Sequence, residues 1–441
     1  DLHSFPTRRS SDLHIDFPLT FTNILLLLGF IIVIAGLAGI YPAVILTSFN
    51  PIMALKGAFV QGTRGNFIRK SLVVFQFTIT IGLIASMLII GRQMNFIKNK
   101  SLGFDGSAVL ELRFYGEQQV IDHYTAFRSR LLSNAHILNV SKHGQNVVGG
   151  LGNGWTTTED LKGNEISTSL YSLNVDTNYL DTYNMQLAAG RFFSSSMPTD
   201  TTKSVLVNEA AVRAFGWQKP ENAIGKRFGK GDEARQVIGV VKDFHFESLH
   251  KPVDALMLGY ARGGSRLSIK IDAANIDVAL KHLEKEWAAS FPEIPLDYVF
   301  VQESIAEQYG NEQRTQGLFY AFAGLSLLIA CLGLFGLSIF VVERKVKEIG
   351  IRKVLGASVS GIVGLLSKDF FVLVIIAALI ASPLSWYFMH NWLQDFAYRV
   401  NIPVWAFVLA GFSALVIALL TVGVRAIKAA LVNPVKSLRT E

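Results

Sequence analysis

Five apolar windows constrain this chain more than any other feature. They cover roughly residues 21–47, 71–91, 318–342, 370–390 and 404–424. Each is near the ~20 residues an α-helix needs to cross the hydrocarbon core of a bilayer. Between the second and third lies a polar stretch, about 93–315, long enough to hold a hydrophobic core of its own.

A formal net charge of +7 raises the question of nucleic acid, and its distribution answers it. Residues 93–315 carry 23 Lys and Arg against 26 Asp and Glu, a net of −3. The remainder carries 18 against 8, a net of +10. The basic excess therefore flanks the apolar windows, where it sets orientation, and no nucleic-acid partner is expected. It concentrates in 48–70, 343–368 and 425–441; placing all three in the cytoplasm lets the five spans alternate without conflict and puts 93–315 outside. The expected fold class is a polytopic α-helical membrane protein, about five transmembrane helices, with one mixed α/β extracytoplasmic domain between the second and third helices. Cys331 is the one cysteine, inside an apolar window, so the outer domain has no disulfide framework and must be held by its core.

In chain order, residues 1–13 contain H-S-F-P-T-R-R-S-S-D-L, which resembles a translated sequencing adapter, and they are set aside as non-native. The first window leads into S-F-N-P-I-M-A-L-K-G (48–57), and the last into L-V-N-P-V-K-S-L-R-T (431–440). Both follow an apolar span, and both place Leu and a base after Asn-Pro. This weak repeat suggests the tail of one repeat (14–70) followed by a complete second one, as in transporters built from duplicated halves. The second window, with residues 71–92 as its helix, carries Gln76, Thr78 and Thr80, which are tolerable facing other helices. At its end R-Q-M-N-F-I-K-N-K can extend the helix outward, and 303–316 has helix-forming composition leading into the third window. Residues 316–441 hold the last three helices. Pro383 is expected to kink the fourth.

The outer stretch reads as mixed α and β. Strands are expected at 204–207, 236–242, 267–271 and 296–301, and helices at 209–215, capped by Asn208, and 276–290. The strand–helix–strand order over 267–301 suggests a small α/β sandwich. V-V-G-G-L-G-N-G (147–154) lacks the Lys-Ser or Lys-Thr of a phosphate loop and reads as a flexible outer loop. Asp243, His245 and His250 have poor metal spacing, with Phe244 and Phe246 beside the first His; a packed imidazole at a strand end is the preferred reading, and no metal or cofactor is expected.

Directly after the third window comes E-R-K-V-K-E-I-G-I-R-K-V-L-G-A (343–357). Val346, Ile349 and Leu355 fall near helical spacing among seven charges, which predicts a short amphipathic helix ended by Gly356. A plain basic loop obeying the positive-inside rule does not need that apolar content, so the segment reads as a docking surface.

The phrase resembles the signature of the FtsX-like permease family, the membrane subunits of MacB-type ABC transporters. G-R-F-F (190–193), V-N-E-A-A (207–211), A-I-G-K (223–226) and G-V-V-K-D-F-H-F-E-S-L-H (239–250) are similar to the MacB-type extracytoplasmic domain. The resemblance extends over nearly all of 21–441, and the departure is a first half reduced to its last span. It implies a coupling helix, within the cytoplasmic loop 343–368, that seats in a cytoplasmic ABC ATPase. The implied contacts are Glu343, Arg344, Lys347, Glu348, Ile349, Arg352, Lys353 and Gly356, with the charges orienting the partner and Ile349 filling an apolar pocket. It also implies inner-membrane placement with the large domain in the periplasm, and a missing N-terminal half as pseudo-dimer partner. A periplasmic adaptor and outer-membrane channel, and work on peptides, drugs or lipoproteins outside, follow from the same resemblance.

No Walker A motif occurs; Gly225-Lys226-Arg227 and Gly229-Lys230-Gly231 lack its spacing and hydroxyl, so ATPase activity is expected in a partner. No catalytic arrangement of Ser/His/Asp or paired carboxylates stands out. Asp369 and His390 lie at span ends rather than mid-membrane, which disfavours a proton- or sodium-coupled carrier. The alternative from another class is a membrane receptor sensing a ligand through its outer domain. Its cytoplasmic side would carry only short basic loops, with no kinase-like or cyclase-like output.

Overall fold

The computed structural model describes residues 20–47, 63–228 and 234–431. Residues 1–13 and the two Asn-Pro phrases, Leu431 apart, lie outside the described residues. The chain divides into two compact units, 1–69 and 70–441. In the first, α1 (Phe21–Thr47) is a 27-residue helix over the first apolar window. The second window lies in α2 (Thr63–Asn99), which runs on through the polar segment after it.

The outer domain follows. Its elements are β1 (Val109–Arg113), α3 (Gln118–Leu131), β2 (Ile137–His143), β3 (Asn153–Glu159), β4 (Glu165–Val175), α4 (Tyr179–Tyr183) and β5 (Leu187–Gly190). Then come β6 (Ser204–Asn208), α5 (Glu209–Ala214), β7 (Arg227–Phe228), β8 (Arg235–Val241) and β9 (Leu256–Tyr260). β10 (Arg266–Ile271), α6 (Ile276–Ser290), β11 (Asp297–Phe300) and α7 (Val301–Glu307) complete it. The strands form one mixed sheet in the order β11-β1-β10-β2-β4-β9-β6-β8-β5, with β3 on β4 and β7 on β8. The four expected strands and both expected helices are present within a residue or two at their ends. Asn208 caps α5, its side chain accepting from the Ala211 amide at 2.9 Å.

The domain is larger than a small sandwich, because a single pair, His143↔Val175, joins β2 to β4 and brings a second set of strands into the sheet. On the β11-β1-β10-β2 side, α3 and α6 bury Phe127, Leu283, Trp287 and Phe291. On the far side Phe215 stacks on Trp217 and Phe228 meets both edge-on, under α5. The glycine-rich segment 147–154 corrects an expectation. Val147, Val148 and Leu151 are buried in the central core, and the Gly149 amide donates to the Phe246 carbonyl at 2.7 Å. Residues 147–152 do form irregular backbone with Gly150 and Gly152 exposed, but the three apolar side chains tie that loop into the core.

Three long helices close the chain: α8 (Gly310–Val354), α9 (Val359–Gln394) and α10 (Val404–Leu431). Among the described residues four helices, α2 and α8 to α10, are long and apolar enough to cross a membrane. The path from the outer domain into α8 is not one unbroken helix, since α7 ends at Glu307 and α8 begins at Gly310. α9, by contrast, continues through Pro383.

Their packing follows from small residues at fourfold spacing. Ala406, Ala410, Ala414, Ala418 and Ala426 of α10 are all buried, as are Ala377, Ala381 and Ser385 of α9. Side chains this small let helix backbones approach closely where lipid supplies no hydrophobic drive. Thr80 and Gln76 of α2 face α8 as expected, while Thr78 bonds the Val74 carbonyl of its own helix. Thr80 is fully buried and bonds Ser326 of α8 at 2.7 Å, and Gln76 lies against Gly333, where an added Cβ would come within 2.8 Å of its Oε1.

Candidate functional site

α8 has 45 residues and is about 68 Å long at 1.5 Å per residue, well beyond a ~30 Å hydrocarbon core. Its apolar part is Gly310–Glu343. The amphipathic segment is therefore not a separate short helix but the last three turns of the membrane helix itself. No residue after Glu343 breaks helical geometry until the end, so nothing detaches it.

That end is specific. Gly356 has φ +89°, its amide donates to the Lys353 carbonyl at 3.1 Å, and the Ala357 amide donates to the Arg352 carbonyl at 2.9 Å. This is a Schellman turn with glycine in the left-handed position, as the sequence predicted for Gly356. Two residues on, Ser358 caps α9 by accepting from the Gly361 amide at 3.2 Å. The expected cytoplasmic loop 343–368 is thus two helix ends and a four-residue corner.

The corner sorts the predicted residues by face. Glu343, Glu348 and Arg352 are exposed, and Arg352 pairs with Glu348 at 2.9 Å one turn away. Lys353 is half-buried, and Lys345 reaches Asp369 of α9 at 3.6 Å. The side chains of Arg344 and Lys347 lie outside the described residues.

Ile349 requires a correction. It is buried against Ile362 and Leu366 of α9 and Ala426 of α10, so it fills a pocket within this chain and not one in a partner. The outward apolar stripe is Ile351, Val354 and Leu355, exposed by 54%, 65% and 80%. Those positions are i, i+3 and i+4, the spacing of one helix face, and that spacing was the signal in the sequence that could have found them.

At the opposite end of the membrane helices, the phrase containing Asp243, His245 and His250 takes three separate paths. Asp243 accepts from the Ala210 amide at 2.8 Å and from Arg213 at 2.6 Å, which serves the start of α5. The His245 ring meets Tyr398 edge-on at 4.7 Å, and burial, with the Lys100 charge nearby, holds its imidazole below the ordinary range. His250 stacks on Phe396 at 4.0 Å. No cluster of three metal-ligating side chains occurs among the described residues.

Residues 320–434 match the FtsX-like permease C-terminal family, and residues 72–289 match the MacB-like periplasmic core domain. The chain is similar to the macrolide export ATP-binding/permease protein MacB of Aggregatibacter actinomycetemcomitans, 27% identical over 44% of this chain and 32% of the relative. The same-named protein of Rhodopseudomonas palustris (strain BisB18) is 23% identical over 52% of this chain and 36% of its own. The chain thus spans about a third of the length of the curated relatives it matches. Among solved structures, the periplasmic region of MacB from Actinobacillus actinomycetemcomitans matches with a TM-score of 0.33. It is 15% identical, covering 47% of this chain and 95% of that one.

Proposed function

Because the chain belongs to the FtsX-like permease family and carries a MacB-like periplasmic core domain, we propose that it is a permease subunit that couples ATP hydrolysis to work outside the membrane. The observation that supports this best is the α8–α9 corner. There an exposed stripe of Ile351, Val354 and Leu355 sits among Glu343, Glu348, Arg352 and Lys353 on a turn locked by Gly356. Three apolar side chains offered to an apolar pocket contribute roughly 1.5–3 kcal/mol each when fully buried. The charges set register and exclude wrong partners.

The occupant in this reading is a cytoplasmic ABC ATPase. The relatives' name joins ATP binding to permease; residues 1–441 hold no Walker A motif, and the ATPase in this reading lies outside them. Ile349 anchors the corner from inside by packing on Ile362, Leu366 and Ala426. Arg344 and Lys347 join the contact by resemblance alone. The work outside is export or mechanotransmission from an inner membrane, with the large domain in the periplasm, a second permease half beside it, and an adaptor and outer-membrane channel as further partners.

The test is affinity capture of the protein from membranes, unmodified and with Arg352→Glu, Lys353→Glu or Leu355→Asp. An ABC ATPase recovered with the unmodified protein and lost from the three variants, with insertion intact, is the expected result. Equal recovery from all four removes the corner assignment. No ATPase from any of them shifts the weight to a receptor that senses through the outer domain.

A further inference from the structure

The outer domain is joined covalently to the membrane helices at two points, the end of α2 and the start of α8. α9 and α10 have no chain connection to it except through α8. Yet the turn between them, residues 395–403, meets the outer domain through hydrogen bonds and ring contacts on one short segment, 242–251, in the connection between β8 and β9.

The contacts are directional and close. The Ala397 amide donates to the His250 carbonyl at 3.0 Å, and the Tyr398 amide to the Leu249 carbonyl at 3.4 Å. His250 Nδ1 donates to the Asp395 carbonyl at 3.1 Å while its ring lies on Phe396 at 4.0 Å, 26° from parallel. Its Nε2 meets Glu312 of α8 at 3.0 Å. Both ring nitrogens therefore face oxygen acceptors, and one side chain ties the segment to two different membrane helices at once.

Leu249 is fully buried in a cluster with Leu393, Phe396 and Ala406, and its amide donates to the Tyr309 hydroxyl at 2.9 Å. α2 closes the other side. Gln93, fully buried, donates to the Tyr398 carbonyl and accepts from the Val400 amide, both at 2.9 Å, and Lys100 lies 4.3 Å from the Tyr398 ring.

We infer that segment 242–251 is a second transmission contact, through which the α9–α10 pair acts on the outer domain in addition to the α2 and α8 chain connections. The inference rests on the proposed coupling function. Two features make the segment suited to it. β8 and β9 flank β6 in the β4-β9-β6-β8-β5 half of the sheet, so a displacement of the segment reaches three adjacent strands directly. At the cytoplasmic end α9 and α10 pack on the anchor residue Ile349, so both ends of the pair are engaged. His250, Leu249 and Phe396 are positioning residues in this scheme, since none of them touches a substrate or nucleotide.

The test uses the full chain in complex with the ATPase that co-purifies with it, with Cys331→Ser as background and His250→Cys with Phe396→Cys added. Hydrogen exchange at β8 and β9 is compared with and without AMP-PNP, oxidised and then reduced. A nucleotide-dependent change that is present in the background protein and the oxidised form, and lost on reduction, is the expected result. ATPase retention in both redox states shows that the variant is folded. Should the cysteine pair fail to bridge, His250→Ala with Phe396→Ala replaces the reduced arm. A change that persists undiminished after reduction, or in the alanine pair, overturns the inference while leaving the ATPase assignment standing. Background protein that retains no ATPase overturns the coupling reading and this inference together.

Discussion

Replacing Gln93 by Leu isolates one element of the outer joint. Gln93 is fully buried on α2, and its amide group satisfies two main-chain groups of the turn after α9: the Tyr398 carbonyl and the Val400 amide, each at 2.9 Å. Leu has similar bulk but no hydrogen-bonding atoms, so both groups lose their partner in a dry setting. An orphaned buried donor or acceptor costs about 1–3 kcal/mol, which gives roughly 2–6 kcal/mol for the pair. Most of the loss falls on local opening of the 395–403 turn. Exchange of the Val400 amide should then rise by about 5- to 140-fold, from 1–3 kcal/mol at a factor of ten per 1.4 kcal/mol. Site-resolved hydrogen exchange in detergent measures this, with Met94→Leu as a volume-conserving control on the next residue, expected to cost under about 1.5 kcal/mol. Unchanged exchange at Val400 in the Gln93 variant, with the control also silent, would refute the claim that this side chain holds the turn.

Three further outcomes are expected. Gly356→Ala forces a left-handed residue with a Cβ at the Schellman turn and should lower stability by about 1–2 kcal/mol in thermal unfolding, with Gly356→Asn milder. Gly333→Ala should be tolerated, because the atom it meets is the end of the flexible Gln76 side chain, while Gly333→Leu should cost about 1–3 kcal/mol by pushing α2 from α8.

The third concerns acid. Burial holds the His143 imidazole below its ordinary 6.5. Nδ1 donates to the Gln145 carbonyl at 2.7 Å, and Nε2 accepts from Ser268, which accepts in turn from Tyr183. With folded values below the unfolded one, as for His245 too, the unfolded chain binds more protons in between. Stability is therefore full above about pH 6.5 and is lost as pH falls through the folded values; His143→Gln with His245→Phe should flatten that slope. Below it, Asp200, whose carboxyl Arg191 holds under the ordinary 3.8, adds a second loss near the acid end.

The membrane helices and four of the eleven strands of the outer domain were legible because each rests on a periodicity that the chain itself displays. Asn208 and Gly356 were legible as well, since a cap and a left-handed turn are local demands on one residue type. The assignment of Ile349 to a partner failed for a different reason. At about 100° per residue Ile349 and Leu355 lie roughly 120° apart round the helix, and which side looks inward is decided by Ile362, Leu366 and Ala426, distant in sequence. Segment 147–154 is similar: its glycines argued for a loop, which 147–152 form, but the burial of Val147, Val148 and Leu151 comes from Phe246 and the strands around it. His250 and Phe396 are nearly 150 residues apart, and no local pattern announces their stacking.

The four-residue corner between α8 and α9 has a geometric consequence. A Schellman turn followed at once by a serine cap leaves little slack, so a tilt imposed there passes into α9, which continues through Pro383 as one helical rod. At 1.5 Å per residue its 36 residues make about 54 Å, and a rotation of about 5° at one end sweeps the other through roughly 5 Å. That travel exceeds the length of any hydrogen bond at Ala397 or His250, so those contacts must either move with the rod or break.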